Sequence, residues 1–229
     1  MITSASNPKL KLVRKLGSRR QREKLGLFAA EGEDLVDAAL EAGLEPVELL
    51  VAGATVEPEL LATVSTLPHP ARAIGIFRRS ELPRFEQRAV SLALWRVADP
   101  GNVGTLIRTA DAFGASVALS AGCADPTGPK ALRASAGALF RVPLGGFEEA
   151  RGRRIALAPF GGRPLTEVEL ADATAFVLGA ERGGLPPELL ASCDAVATIP
   201  TPGAAESLNV AAAGAIALYE RLRRLGVPK

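Results

Sequence analysis

A chain of 229 residues, 48% hydrophobic and 23% charged, is long enough for one large or two small domains and too apolar to be disordered. Two cysteines and one histidine, with no C-x-x-C and no His pair one helical turn apart, provide no zinc site, so no metal is expected, and a Ser-His-Asp triad would have only His69 to draw on. No apolar run reaches the ~18 residues of a membrane span, and the N-terminus MITSASNPKLKLVRKL has no apolar signal segment; a cytoplasmic protein without a membrane partner is expected.

The formal net charge is only +2, but it is unevenly spread. Lys9, Lys11, Arg14, Lys15, Arg19, Arg20, Arg22 and Lys24 stand against a lone Glu23. Leu10, Val13 and Leu16 lie at helical spacing, with Asn7 as a cap and Pro8 at the first helical position. The expected helix packs its apolar stripe and leaves a basic face free. That face is either a solvated surface or a phosphate-binding one. Strands are expected at 26–31, 46–52 and 71–79, and helices at 32–43 and 57–67, giving a small α/β unit. His69, in LPHPAR, reads as a surface-loop histidine.

The polar stretch SELPRFEQRA precedes a new apolar run, which places a boundary near Gln87 and divides the chain into 1–86 and 87–229. Beyond it, VSLALWRV (90–97) has the continuous apolar character of a strand buried on both faces. A helix is expected at 102–114, a strand at 116–120 and a helical stretch at 128–140. Strands follow at 153–159, 174–179 and 194–200, with a short helix at 186–192 and a long one at 208–225. The alternation predicts an α/β domain with a mostly parallel sheet. Ligands of such sheets sit beyond the carboxyl ends of the strands. Three loops there stand out: ADPGNVG, GAERGGLPP and PTPGAAESLN. None carries G-x-x-x-x-G-K-[ST] or a G-x-G-x-x-G opening a helix, which disfavours a nucleotide-dependent oxidoreductase.

Taken together, DPGNVGTLIRTADAFG, VLGAERGGL and IPTPGAAESLNVAAAGAIALYE resemble the three motifs of the SpoU (TrmH-like) branch of the SPOUT RNA methyltransferases, over about Val90 to Leu225. The first third is similar, more loosely, to the small RNA-binding α/β domain that many members carry. The resemblance implies a trefoil-knotted α/β catalytic domain and S-adenosylmethionine as cofactor. It implies 2′-O-methylation of a ribose in ribosomal or transfer RNA, by a homodimer with active sites at the subunit interface. Carried onto this chain, it assigns Asn102, Arg108, Glu181, Ser207 and Asn209 to catalysis and Leu178, Gly179, Ile199, Pro200 and Leu208 to cofactor binding. Many members have serine where this chain has Ala211, and altered local hydrogen bonding is expected there. An RNA-binding protein of the same fold without activity is the alternative.

Arg108 is the family's proposed base, but a guanidinium with a pKa above about 12 accepts no proton at neutral pH. Binding the adjacent phosphate and stabilising the developing alkoxide suits it better, with Glu181 and Asn102 orienting it and Ser207 and Asn209 ordering the ribose. Purely structural roles are also open: Arg108 paired with Asp111, Ser207 as the N-cap of the last helix, and Glu181 as a solvated loop acid.

Overall fold

The computed structural model describes residues 1–203 and 206–226. Asn7 accepts a hydrogen bond from the Lys9 N–H and Pro8 opens α1 (Pro8–Leu16), whose buried stripe is Leu10, Val13 and Leu16, as the spacing predicts. After α2 (Arg19–Leu25), β1 (Leu27–Glu31), α3 (Glu33–Glu41), β2 (Glu48–Val51), α4 (Pro58–Ala62) and β3 (Ala73–Arg78) follow. The three strands form an antiparallel sheet in the order β1-β3-β2. α4 is shorter than the expected 57–67. The β-branched and hydroxyl residues beyond it leave the helix, and the Thr66 N–H and hydroxyl donate to Glu31 at 2.7 and 3.1 Å.

The second sheet contains β4 (Val90–Leu94), β5 (Ser116–Leu119), β6 (Leu144–Gly146), β7 (Arg153–Leu157), β8 (Arg163–Pro164), β9 (Thr174–Leu178) and β10 (Ala195–Thr198). Its seven strands are parallel, in the order β6-β5-β4-β9-β7-β10-β8. The chain moves outward from β4 to β6 and then returns to build the other half, so the strand order reverses between β4 and β9, where such sheets bind ligands.

Alternating residues of β4 and β9 face opposite layers. Leu92, Leu94, Phe176 and Leu178 join the main core with α5 (Pro100–Ala112) and α8 (Val210–Leu225), while Ala93, Ala175 and Val177 meet Phe147 and Trp95. α6 (Pro129–Ser135) packs on α5 so closely that a side chain at Gly104 would overlap the Ala131 carbonyl. The expected helix at 128–140 is broken because Ala136 and Gly137 adopt left-handed backbone, with φ of 47° and 81°. α7 (Pro187–Ala191) completes the fold.

The two sheets share a seam. Phe28 of β1 stacks on Phe140 at 6.2 Å, inside the same core as β4 and α5. Beside this contact lies an ion network that revises the expected free basic face. Arg22 is 4% exposed, and its Nε and Nη2 donate to Asp125 at 2.8 Å while Nη1 donates to the Leu16 carbonyl. Arg79 reaches both Asp125 oxygens at 3.3 Å and Thr127 at 2.9 Å. Lys11, Lys15, Arg20 and Lys24 remain exposed.

Candidate active site

The loops after β4, β9 and β10 meet, as expected from their place in the sheet, and side-chain amides hold them together. Asp99 caps α5 by accepting from the Asn102 N–H at 3.0 Å, with Pro100 at the first helical position. Its second oxygen meets Lys130 at 2.8 Å; that hydrogen bond first, then the one from Asn102, hold its carboxyl below the usual range. Glu181, from the loop after β9, accepts from the N–H groups of Ala98 and Asp99 at 3.2 and 3.1 Å and from the Asn102 amide at 3.1 Å. Partial burial pushes the Glu181 carboxyl up, but the Asn102 bond and the backbone donors outweigh it and hold the group low, hence ionised.

The Asn102 carbonyl oxygen in turn accepts from the Asn209 amide at 3.0 Å. The Asn209 oxygen caps α8, accepting from Ala211 and Ala212 at 2.8 and 3.3 Å. Each amide is thereby oriented by its neighbours, in a chain from Glu181 through Asn102 and Asn209 to the start of α8. The cap of α8 is Asn209 rather than Ser207, and α8 begins at Val210 rather than 208. At Ala211, the backbone N–H supplies a hydrogen bond to Asn209 and the methyl is buried.

Gly179 is required by close approach: a Cβ there would collide with the backbone of Gly184, which bridges to Ala180 and has a φ of 60°. The resulting narrow loop walls a cleft of about 420 Å³ lined by Leu178, Gly179, Glu181, Ile199, Ser207, Leu208 and Asn209. These are seven of the ten residues expected at the site. Asn102 sits behind the lining, bonded to Glu181 and Asn209. Pro200 is not part of the lining, although Ile199 and Thr201 are. Ala204 and Ala205 of the third loop lie outside the described residues.

Arg108 departs most from expectation. It projects to solvent from the middle of α5 and is absent from the cleft lining. Nor does it pair with Asp111, which Arg141 takes at 2.6 Å. A fourth loop, after β7, was not anticipated: Leu157, Ala158, Pro159 and Phe160 form one wall. It carries no polar pair, and only its position at a strand's carboxyl end could have marked it.

The cleft suits an adenosyl amino acid. Its volume lies in the range of small-ligand sites. Phe160 and Leu208, 70% and 36% exposed, offer apolar surface at its mouth for a flat ring to cover. Carboxylates of Glu181 and Glu206, both lining it, can receive an amine or face a positive charge. Among the described residues no group of three or more potential metal ligands occurs, and no helix is long and apolar enough to cross a membrane.

Known structures share the whole architecture. The S-adenosylmethionine-bound rRNA methyltransferase from Sinorhizobium meliloti superposes with a TM-score of 0.87 at 31% identity, covering 98% of this chain and 97% of that one. AviRb, a SpoU methyltransferase from Streptomyces viridochromogenes in complex with the same cofactor, gives 0.84 at 25% identity, covering 98% and 100%. The fold is that of a SPOUT methyltransferase. The chain belongs to the SpoU rRNA methylase family, whose profile matches residues 89–219; residues 7–76 match the MRM3-like substrate binding domain. In sequence it is 34% identical to RlmP of Bacillus subtilis (strain 168), a 23S rRNA (guanosine(2553)-2′-O)-methyltransferase, over 95% of this chain and 97% of that one.

Proposed function

We propose that this chain transfers a methyl group from S-adenosylmethionine to a ribose 2′-hydroxyl of ribosomal or transfer RNA. The observation that carries the reading is the Glu181–Asn102–Asn209 chain, which fixes three loops around one cleft. When bound, the cofactor supplies an electrophilic methyl on its sulfonium. Leu178, Gly179, Ile199 and Leu208 line the space that holds it, with Pro200 beside them in the chain. Glu181, ionised and held by two backbone N–H groups and the Asn102 amide, orients a cation. Ser207 and Asn209 are placed to hydrogen-bond a ribose. Catalysis then rests on positioning and on charge aimed at the developing alkoxide.

Arg108 supplies that charge from a second copy of the chain. This is the reading its position supports, since it points to solvent outside the cleft of its own chain. α8 packs along α5, and exposes Ile216 and Tyr219, apolar side chains suited to a homodimer contact. Residues 1–86 form an RNA-binding domain and 87–229 the catalytic, trefoil-knotted domain of a cytoplasmic enzyme. Incubation with labelled S-adenosylmethionine and unmodified rRNA and tRNA, followed by mapping of the product, tests this. Label on a ribose oxygen is expected; RNA binding with no transfer would favour the inactive alternative. Sedimentation at micromolar concentration should give a dimer, and a monomer would remove the role of Arg108 in a second subunit.

A further inference from the structure

The loop after β4 contains an arginine that the site does not use. Arg96 has a φ of 53°, the left-handed region that costs an L-residue energy and that glycine adopts freely. Its N–H donates to the Ser120 hydroxyl at 2.8 Å, which fixes the backbone there. Its side chain lies across Gly122, where an added Cβ would stand 3.3 Å from Nε. Among the described residues the guanidinium meets no carboxylate or carbonyl, and the residue is exposed. The acids of the adjoining loops are already engaged: Asp99 by Lys130, Asp125 by Arg22 and Arg79, and Glu181 by Asn102.

Its place in the fold is as informative as its strain. On one side, Gly122 adjoins Cys123, whose carbonyl accepts from Arg19 of α2 at 3.0 Å. On the other, Val97 leads to Ala98, whose N–H holds Glu181 at the cleft. Arg96 therefore stands between the basic α2 and the cleft. An unpaired, exposed guanidinium kept on a strained backbone fits a ligand rather than the fold. Resting on the methyltransferase reading above, we infer that Arg96 binds a backbone phosphate of the substrate RNA between its contacts with α2 and the reacting nucleotide.

Arg96→Gly is an unusually discriminating test, because relief of strain and loss of binding move in opposite directions. Using an unmodified 23S rRNA transcript as probe, the variant should bind about tenfold more weakly near 0.1 M salt. The slope of log affinity against log salt should fall by about one phosphate contact. S-adenosylmethionine affinity should hold, and Tm should rise by about 2 °C. Arg96→Lys should retain the slope. An unmoved salt slope, or a lower Tm in Arg96→Gly, overturns the inference. Wild-type protein that binds no RNA would sink the methyltransferase reading together with this one, whereas wild-type binding with an unaffected variant would sink this one alone.

Discussion

Asp125 and Glu181 are both carboxylates held in the ionised form by hydrogen bonds, yet their surroundings differ in kind. Asp125 is buried at the seam between the sheets and receives Arg22, Arg79 and Thr127. Glu181 stands at the edge of the cleft and, among the described residues, receives only backbone N–H groups and one neutral amide. The seam network sets two guanidiniums against the one carboxylate, so the charge of Asp125 is spent inside the fold. The cleft network leaves the charge of Glu181 uncompensated and pointed at an open space. Breaking a buried pair by removing one partner is strongly destabilising, whereas loss of an exposed acid on loops costs stability little and function much. Removing single groups from each network tests whether they divide in this way between fold and chemistry.

The largest effect should come from the seam. Asp125→Ala leaves the Arg22 guanidinium buried without its acid, and a loss of about 3–5 kcal/mol is expected in urea denaturation. Below its melting transition, the variant should keep wild-type S-adenosylmethionine affinity, because no Asp125 contact reaches the cleft. Loss of cofactor binding in folded protein would mean the two networks are coupled.

Arg108→Ala should come next, and in the opposite currency. Turnover should fall by about 10²-fold or more, while Tm and cofactor Kd stay put, since Arg108 is exposed and Asp111 is paired with Arg141. Arg108→Lys should not restore the rate fully, because an ammonium lacks the bidentate fork. Wild-type turnover in the alanine variant would strike Arg108 from the catalytic set. Glu181→Gln should have a smaller effect, about tenfold in kcat, because the amide keeps an acceptor for the loop N–H groups but loses the charge. A fall in Tm as large as that of Asp125→Ala would place Glu181 with the fold instead.

The sequence disclosed these two regions unequally. The cleft was legible because its polar residues sit in Gly- and Pro-rich loops at strand ends, beside apolar runs that could only be buried strands. Even there, β6 and β8 escaped notice: three and two residues long, they contain Gly145, Gly146 and Pro164, which carry no strand signal. Phe160 was missed because an apolar residue in a loop has no pattern to belong to. The seam was invisible. Arg22 looks like one more member of a basic run, and its burial depends on Asp125, 103 positions away in sequence. Periodicity reports a helix's own faces, not the partner that another loop brings to them. The start of α5 differs by two residues, at Pro100 where 102 is expected, because Asp99 rather than a later residue caps it.

The smallest effect expected near neutrality is that of pH, and it separates the two carboxylates again. Burial alone would raise the Asp125 pKa; the Thr127 hydroxyl and N–H, with the charges of Arg79 and Arg22, more than offset this and leave it below its ordinary value. A carboxylate depressed in the folded state stabilises fully above its unfolded pKa, about 3.9, and loses that contribution as pH falls through the folded value. Stability should therefore be flat in this respect from pH 7 to about 5 and should decline only below about pH 4. Glu181 is depressed too, but its exposure screens the contribution, so its share of the acid slope should be minor. Urea midpoints measured from pH 7 down to about pH 3 on wild type, Glu181→Gln and Asp125→Ala distinguish the terms. Glu181→Gln should follow the wild-type slope, and Asp125→Ala should be less stable throughout yet flatter in acid. An Asp125→Ala profile parallel to wild type would show that the seam acid does not carry the acid sensitivity of the fold.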